Sequence, residues 1–213
     1  MPKLNNTHIH FSAIISYKKI LKIINKINNN NIYINEDDSN LLIGYNNDEI
    51  NEKNGILYNK EKHEKMIIDY INKCYNKNKF SCLEKLGSLF YNIIKYEKFI
   101  KNYYLDEIVN YMKKHTIKYM NVRILLGTVY KIVDGKKIFL NINEELDLLY
   151  KYKNYFNIII CISKCNKNIT SKLINILENI DNKYKEIILG YDFVGDESKC
   201  KSLEDNIDKL KEI

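Results

Sequence analysis

Apolar residues recur along this chain with two different periods, and the switch between them marks its elements. Over residues 16–27, Ile20, Leu21, Ile23, Ile24 and Ile27 fall at helical spacing with Lys between them. The same spacing returns over 63–74 (Met66, Ile67, Tyr70, Ile71, Cys74), and Ser81 is placed to cap a further helix to about residue 96. Later helices are predicted over 104–114, from Asn143 as cap to 152, and over 171–180 with Leu173, Ile174, Ile176 and Leu177 as the apolar side. Ser202-Leu203-Glu204-Asp205 reads as a capping box opening a last helix.

Short runs that are apolar along their whole length lie between these helices, near residues 5–11, 117–124, 156–162 and 186–193. Such runs alternating with helices predict an α/β fold with a parallel sheet covered on both faces. Four βα units make either half of an eight-stranded barrel or a small doubly wound sheet. Residues 128–133 and 136–142 flank Asp134-Gly135, the strongest short signal for a β-hairpin. Residues 28–60 are Asn- and Asp-rich and keep no period, so they read as a loop insertion that adds nothing to a core.

At 213 residues the chain suits one domain with a real core. Its Ile, Tyr, Asn and Lys excess resembles the mark of an A- and T-rich coding sequence, so composition says little about chemistry, and the Tyr abundance reads as core rather than as a stacking platform. The net charge of +7 comes from scattered Lys rather than from clustered Arg and Lys, which argues against a nucleic-acid partner. Five Cys form no CxxC pair and their odd number argues against a disulfide framework, which points to reduced thiols in the cytoplasm. No apolar run approaches the roughly 20 residues of a membrane span, and no apolar signal core opens the chain.

The chemistry-bearing candidates are few. His8-Ile9-His10 on a strand would project two imidazoles from one face, where they can share a divalent metal. At the carboxyl end of a first barrel strand, that pair would sit on the face where such barrels place their active sites. His63 and His115 lie among charged residues at helix ends, and for both the solvated reading outweighs the ligand reading. In Gly190-Tyr191-Asp192-Phe193-Val194-Gly195-Asp196-Glu197, Gly195 would let a flat ligand approach the backbone. Asp192, Asp196 and Glu197 would bond a ligand or cap the turn, and for such residues the turn reading leads.

Together these segments resemble the adenosine/AMP deaminase family of zinc aminohydrolases. Pro2-Lys3 through His8-Ile9-His10 is similar to its opening metal motif, and Leu83-Glu84 with Phe90 to its helical lid. Tyr119-Met120-Asn121-Val122-Arg123 resembles its second strand, residues 156–164 its third, and 190–197 its Gly-x-Asp-Leu-x-Gly-Asp-Glu at strand four. Short spacing resembles the adenosine deaminase-like branch that acts on N6-methyl-AMP. The resemblance implies the first four βα units of a (β/α)8 barrel, with an Asn-rich and a hairpin insertion. It implies Zn2+ held by His8 and His10, and a purine nucleoside or nucleotide substrate contacted by Gly195, Asp192 and Ser12. Zinc would lower the pKa of a water that attacks C6 of the adenine ring.

Several positions depart from the family pattern. Ser12 and Ala13 stand where the family carries Asp or Asn and then Gly, Asn121 replaces an acidic residue, and Lys164 an arginine. The family's third metal His, its proton-shuttling Glu, a further His and a metal-binding Asp lie on strands five to eight. The resemblance therefore implies an amino-terminal half with no catalytic residue of its own. A catalytically inactive deaminase-like binding module is the alternative expectation.

Overall fold

The computed structural model describes residues 6–27, 32–36, 41–45, 55–77, 80–163 and 169–195. Strand β1 (Asn6–His10) and the 3-10 turn Phe11–Ala13 lead into helix α1 (Tyr17–Ile24). Strands β2 (Ile32–Glu36), β3 (Leu41–Tyr45) and β4 (Ile56–Leu57) follow, then helices α2 (Lys60–Lys77) and α3 (Phe80–Leu89). Short turns and the π-helical segment Ile100–Tyr104 bring the chain to α4 (Leu105–Lys114) and β5 (Met120–Ile124). The remaining elements are β6 (Tyr130–Val133), β7 (Lys136–Phe139), α5 (Ile142–Tyr150), β8 (Phe156–Ser163), α6 (Ile169–Asn179), the 3-10 helix Asn182–Ile187 and β9 (Ile188–Val194).

The chain divides into two compact units. One comprises residues 1–11, 112–128 and 140–213; the other comprises 12–111 and 129–139. The second unit is thus inserted into the first at two points of the chain, after β1 and again after β5.

In the parallel-sheet unit the strand order is β1-β5-β8-β9, with all three pairings parallel. Each strand is added beside the one before it, so the order contains no reversal of the kind that defines a doubly wound sheet. On one face Val122 pairs with Ile158 and Ile124 with Ile160, and all four are buried. Each such side chain removed from water is worth about 1.5–3 kcal/mol. Helix α6 packs on β8, and its Leu173 and Ile176 are buried. The opposite row differs from the even cover the apolar runs predict, because Asn121, Arg123, Asn157 and Ile159 are only half-buried. Sequence runs register apolar content, but alternation on β5 puts its polar pair on one side.

The cap of helix α5 is Asn141, two residues before the expected Asn143. Asn141 Oδ1 accepts the Glu144 N–H at 2.9 Å, and Glu144 Oε2 accepts the Asn141 N–H at 2.8 Å, a closed capping box. Asn143 instead donates to the Asn179 carbonyl oxygen at 2.9 Å.

The inserted unit corrects the reading of residues 28–60 as a loop. Strands β2, β3 and β4 form an antiparallel sheet in the order β3-β2-β4, and Ile32, Ile34, Leu41, Ile43 and Tyr45 are buried. The stretch supplies a core, and its Asn and Asp flank strands of five residues, too short to show a period against that background. Helix α2 buries His63, Ile67, Ile71 and Cys74 along one stripe.

Tyrosine contributes to this core as expected. The Tyr45 and Tyr96 rings are 4.0 Å apart, and those of Tyr96 and Tyr130 are 5.6 Å apart. The Tyr130 hydroxyl donates to the Asn92 carbonyl oxygen at 2.7 Å, and its N–H donates to that of Lys95 at 2.9 Å. These bonds join the hairpin of β6 and β7 to the inserted unit. The hairpin turns on Asp134 (φ 50°) and Gly135 (φ 76°), two consecutive left-handed residues as a tight two-residue turn requires.

The predicted helix at Ser202 lies outside the described residues. Among the described residues, no helix is long and apolar enough to cross a membrane.

Candidate functional site

The parallel strands bring the sequence candidates to one end of one sheet. His10 is the last residue of β1, exposed, and paired in register with Arg123 near the end of β5. Asp192 pairs with Cys161, two positions beyond Ile159, the partner of Arg123. Partners in a parallel ladder share a face, so His10, Arg123 and Asp192 form a polar row across β1, β5 and β9.

Within that row the Arg123 Nε donates to Asp192 Oδ2 at 2.7 Å, bridging over β8. The Arg123 side chain is 15% exposed and that of Asp192 33% exposed. A pair between surface and core of this kind contributes about 1 kcal/mol. Its larger effect is positional, because it fixes a carboxylate and a guanidinium over the sheet. Asp192, expected to contact substrate, is thus already engaged by a side chain of its own sheet. Arg123 is the residue that sequence reasoning left off the site, although its polar neighbour Asn121 at two-residue spacing signalled a polar face.

The other candidates are distributed as follows. His8 lies in β1, and the ladder is regular from Ile9 onward but shifts register between Asn6 and Ile9. The expectation that His8 and His10 share a face turns on the His8 side chain, which lies outside the described residues. Ser12 is half-buried in the turn that leaves β1, where the inserted unit begins. Gly195 follows β9 at φ 154°, a backbone angle that favours glycine. Lys164, Asp196 and Glu197 lie outside the described residues.

Zinc in a catalytic site takes three protein ligands and an open position. Two imidazoles suit its chemistry, but among the described residues no group of three or more His, Cys, Asp or Glu is placed to hold a metal. These residues alone do not complete a zinc site. Cys74 and Cys161 are buried thiols.

Two other polar clusters have structural roles. At the amino ends of β8 and β9, Glu186 accepts from the Tyr150 hydroxyl and from Lys153 Nζ at 2.8 Å. Lys153 and then Tyr150 hold the Glu186 carboxyl below its usual range, and Glu186 and then Tyr150 hold Lys153 above its own. In the inserted unit, His63 corrects the solvated reading. It is buried, and its Nδ1 accepts the Asn59 N–H at 2.9 Å while Asn59 Oδ1 accepts the Lys62 N–H at 3.0 Å. The imidazole takes the place that a Glu fills in a capping box, so it locks the start of α2. His115 is exposed, as expected.

No protein-family model matches the chain, and no curated protein matches it.

Proposed function

We propose that this chain forms the first four βα units of an adenosine/AMP deaminase-type barrel hydrolase acting on a purine nucleoside or nucleotide. The observation that carries the reading is the coincidence of sequence and place. The segments that resemble the family end at the carboxyl ends of four parallel strands in consecutive order, where barrel enzymes build their sites. His10, Arg123, Asp192 and Gly195 come from three of those strand ends. In this reading His8 and His10 are part of a zinc donor set, and the remaining ligands and the proton shuttle come from strands beyond these four. Gly195 leaves room for the purine ring. The buried thiols of Cys74 and Cys161 accord with a cytoplasmic setting.

A catalytically inactive relative that binds the purine without turning it over is the second reading. Ser12 and Ala13, at positions where the family carries Asp or Asn and then Gly, favour it.

The test is an assay of the native protein for ammonia or methylamine release from adenosine, AMP and N6-methyl-AMP, beside the His10→Ala variant. Release that the variant loses is the expected result. Purine binding without release selects the second reading, and neither binding nor release sinks both.

A further inference from the structure

The hairpin of β6 and β7, part of the inserted unit, leaves most of its apolar side chains in water. Tyr130 at its base is buried, but Val133 is 41%, Ile138 44% and Phe139 56% exposed. The register is regular, with Tyr130 opposite Phe139, Lys131 opposite Ile138, Ile132 opposite Lys137 and Val133 opposite Lys136. Opposed residues share a face and successive residues change it, so Val133 and Ile138 lie on one face of the ribbon and Ile132 and Phe139 on the other. Each face also carries lysine, Lys131 and Lys136 on the first and Lys137 on the second. Over residues 129–139 these three lysines stand against Asp134 alone, a local charge of +2.

The two edges of the ribbon differ. On the β6 side the Tyr130 N–H donates to the Lys95 carbonyl oxygen at 2.9 Å and Tyr130 bridges to Tyr96, which sets that edge against the rest of the unit. Among the described residues no strand but β6 pairs with β7. The Lys137 Nζ lies 4.5 Å from the centre of the Tyr130 ring and 5.1 Å from that of Phe139, so its stem follows the apolar face and its charge sits beside the rings. Ile138 and Phe139 next to Lys136 and Lys137 complement a surface that is apolar within and anionic at its boundary. A second copy joined edge to edge at β7 would set the lysines of both chains against each other, which repels. A protein groove covers one face of a ribbon, whereas both faces here mix apolar and cationic side chains. A lipid surface meets both faces at once, and headgroups and their water satisfy the backbone groups of an open edge.

We propose that the β7 edge of this hairpin docks on an anionic lipid bilayer. It lies in the headgroup layer with Ile138 and Phe139 inserted, Lys136 and Lys137 against lipid phosphates, and Asp134 in the turn left on the water side. This attaches the chain to a membrane without crossing it. The proposal does not rest on the deaminase reading.

Cosedimentation of the full chain with vesicles tests it, with phosphatidylcholine and phosphatidylserine mixed in one set and phosphatidylcholine alone in the other. The expected result is binding at least about tenfold tighter to the anionic set, weakening as salt is raised. A lysine at an anionic surface is worth about fivefold in partition, so Lys136→Glu should weaken binding by at least about that factor. Ile138→Ser/Phe139→Ser should weaken it at least about tenfold, with circular dichroism showing the chain still folded. If that pair unfolds the chain, Phe139→Ser alone, at the most exposed of the apolar positions, decides by the same criterion. No binding to the anionic vesicles overturns the proposal, and so does binding that either variant keeps in full. A chain that ignores vesicles but forms a dimer that Ile138→Ser/Phe139→Ser dissociates overturns it as well, with a second copy as the occupant.

Discussion

In the parallel-sheet unit Arg123 and Asp192 stand partly open on the face of a sheet, whereas the inserted unit ties its polar side chains into helix ends. There Asn25, which caps α1, donates to Glu64 Oε1 at 2.6 Å and accepts from the Tyr58 hydroxyl at 2.6 Å. Next to them His63 is buried and locks the start of α2. Both arrangements use titratable groups, but only the first presents them where a ligand approaches a strand end. Polar residues in the inserted unit hold its elements in place, while the pair on the sheet adds only about 1 kcal/mol and stands partly open.

Breaking the inserted sheet is the strongest way to test that contrast. Ile43 is fully buried in β3, so Ile43→Ala should cost about 2–5 kcal/mol by urea denaturation. A value below about 0.5 kcal/mol, the usual range for a surface position, would restore the loop reading of residues 28–60.

The polar row predicts a smaller and coupled effect. Arg123→Ala and Asp192→Ala should each lose about 1 kcal/mol, and the double variant should lose less than their sum. Strict additivity would mean that the 2.7 Å pair is not formed in solution.

His63→Ala removes the acceptor for the Asn59 N–H, at a cost of about 1 kcal/mol. His115→Ala, at an exposed position, should change little. Equal effects of the two would return His63 to the solvated class.

The smallest effect is in alkali. Burial first, and Glu64 second, push the Tyr58 hydroxyl up to about 12 from 10.0. The folded chain therefore keeps this proton after an unfolded phenol has lost it. The contribution is intact below pH 10 and fades as pH rises from 10 to about 12. Tyr58→Phe should flatten that part of the stability profile, and an unchanged slope would assign it elsewhere, to the buried Tyr104 first.

The sequence made some of this readable and hid the rest for physical reasons. Strand β8 and the Asp134-Gly135 hairpin carry strong local signals, a run of Ile in one case and two left-handed residues in the other. Strands β2 and β3 do not, since Ile-Tyr-Ile and Leu-Leu-Ile are too short to show a period beside so many Asn. Burial of His63 depends on a backbone N–H four residues earlier, a cap geometry that residue type does not reveal. The Arg123–Asp192 pair joins residues 69 apart, and it becomes legible only once β5, β8 and β9 are known to be neighbours. His8-Ile9-His10 was legible as a motif, but the register shift before Ile9 was not.

The central claim is that the functional end of this molecule lies at the carboxyl end of β1, with His8 and His10 as metal donors. The chain has four His, so four His→Gln variants assign every imidazole signal in a proton NMR spectrum. Titrating the full chain with zinc then tests the claim directly, even for a donor set that binds weakly. The account predicts that the His8 and His10 signals shift together while those of His63 and His115 stay fixed. Zinc that moves neither of the first pair, or moves only one of them, contradicts it.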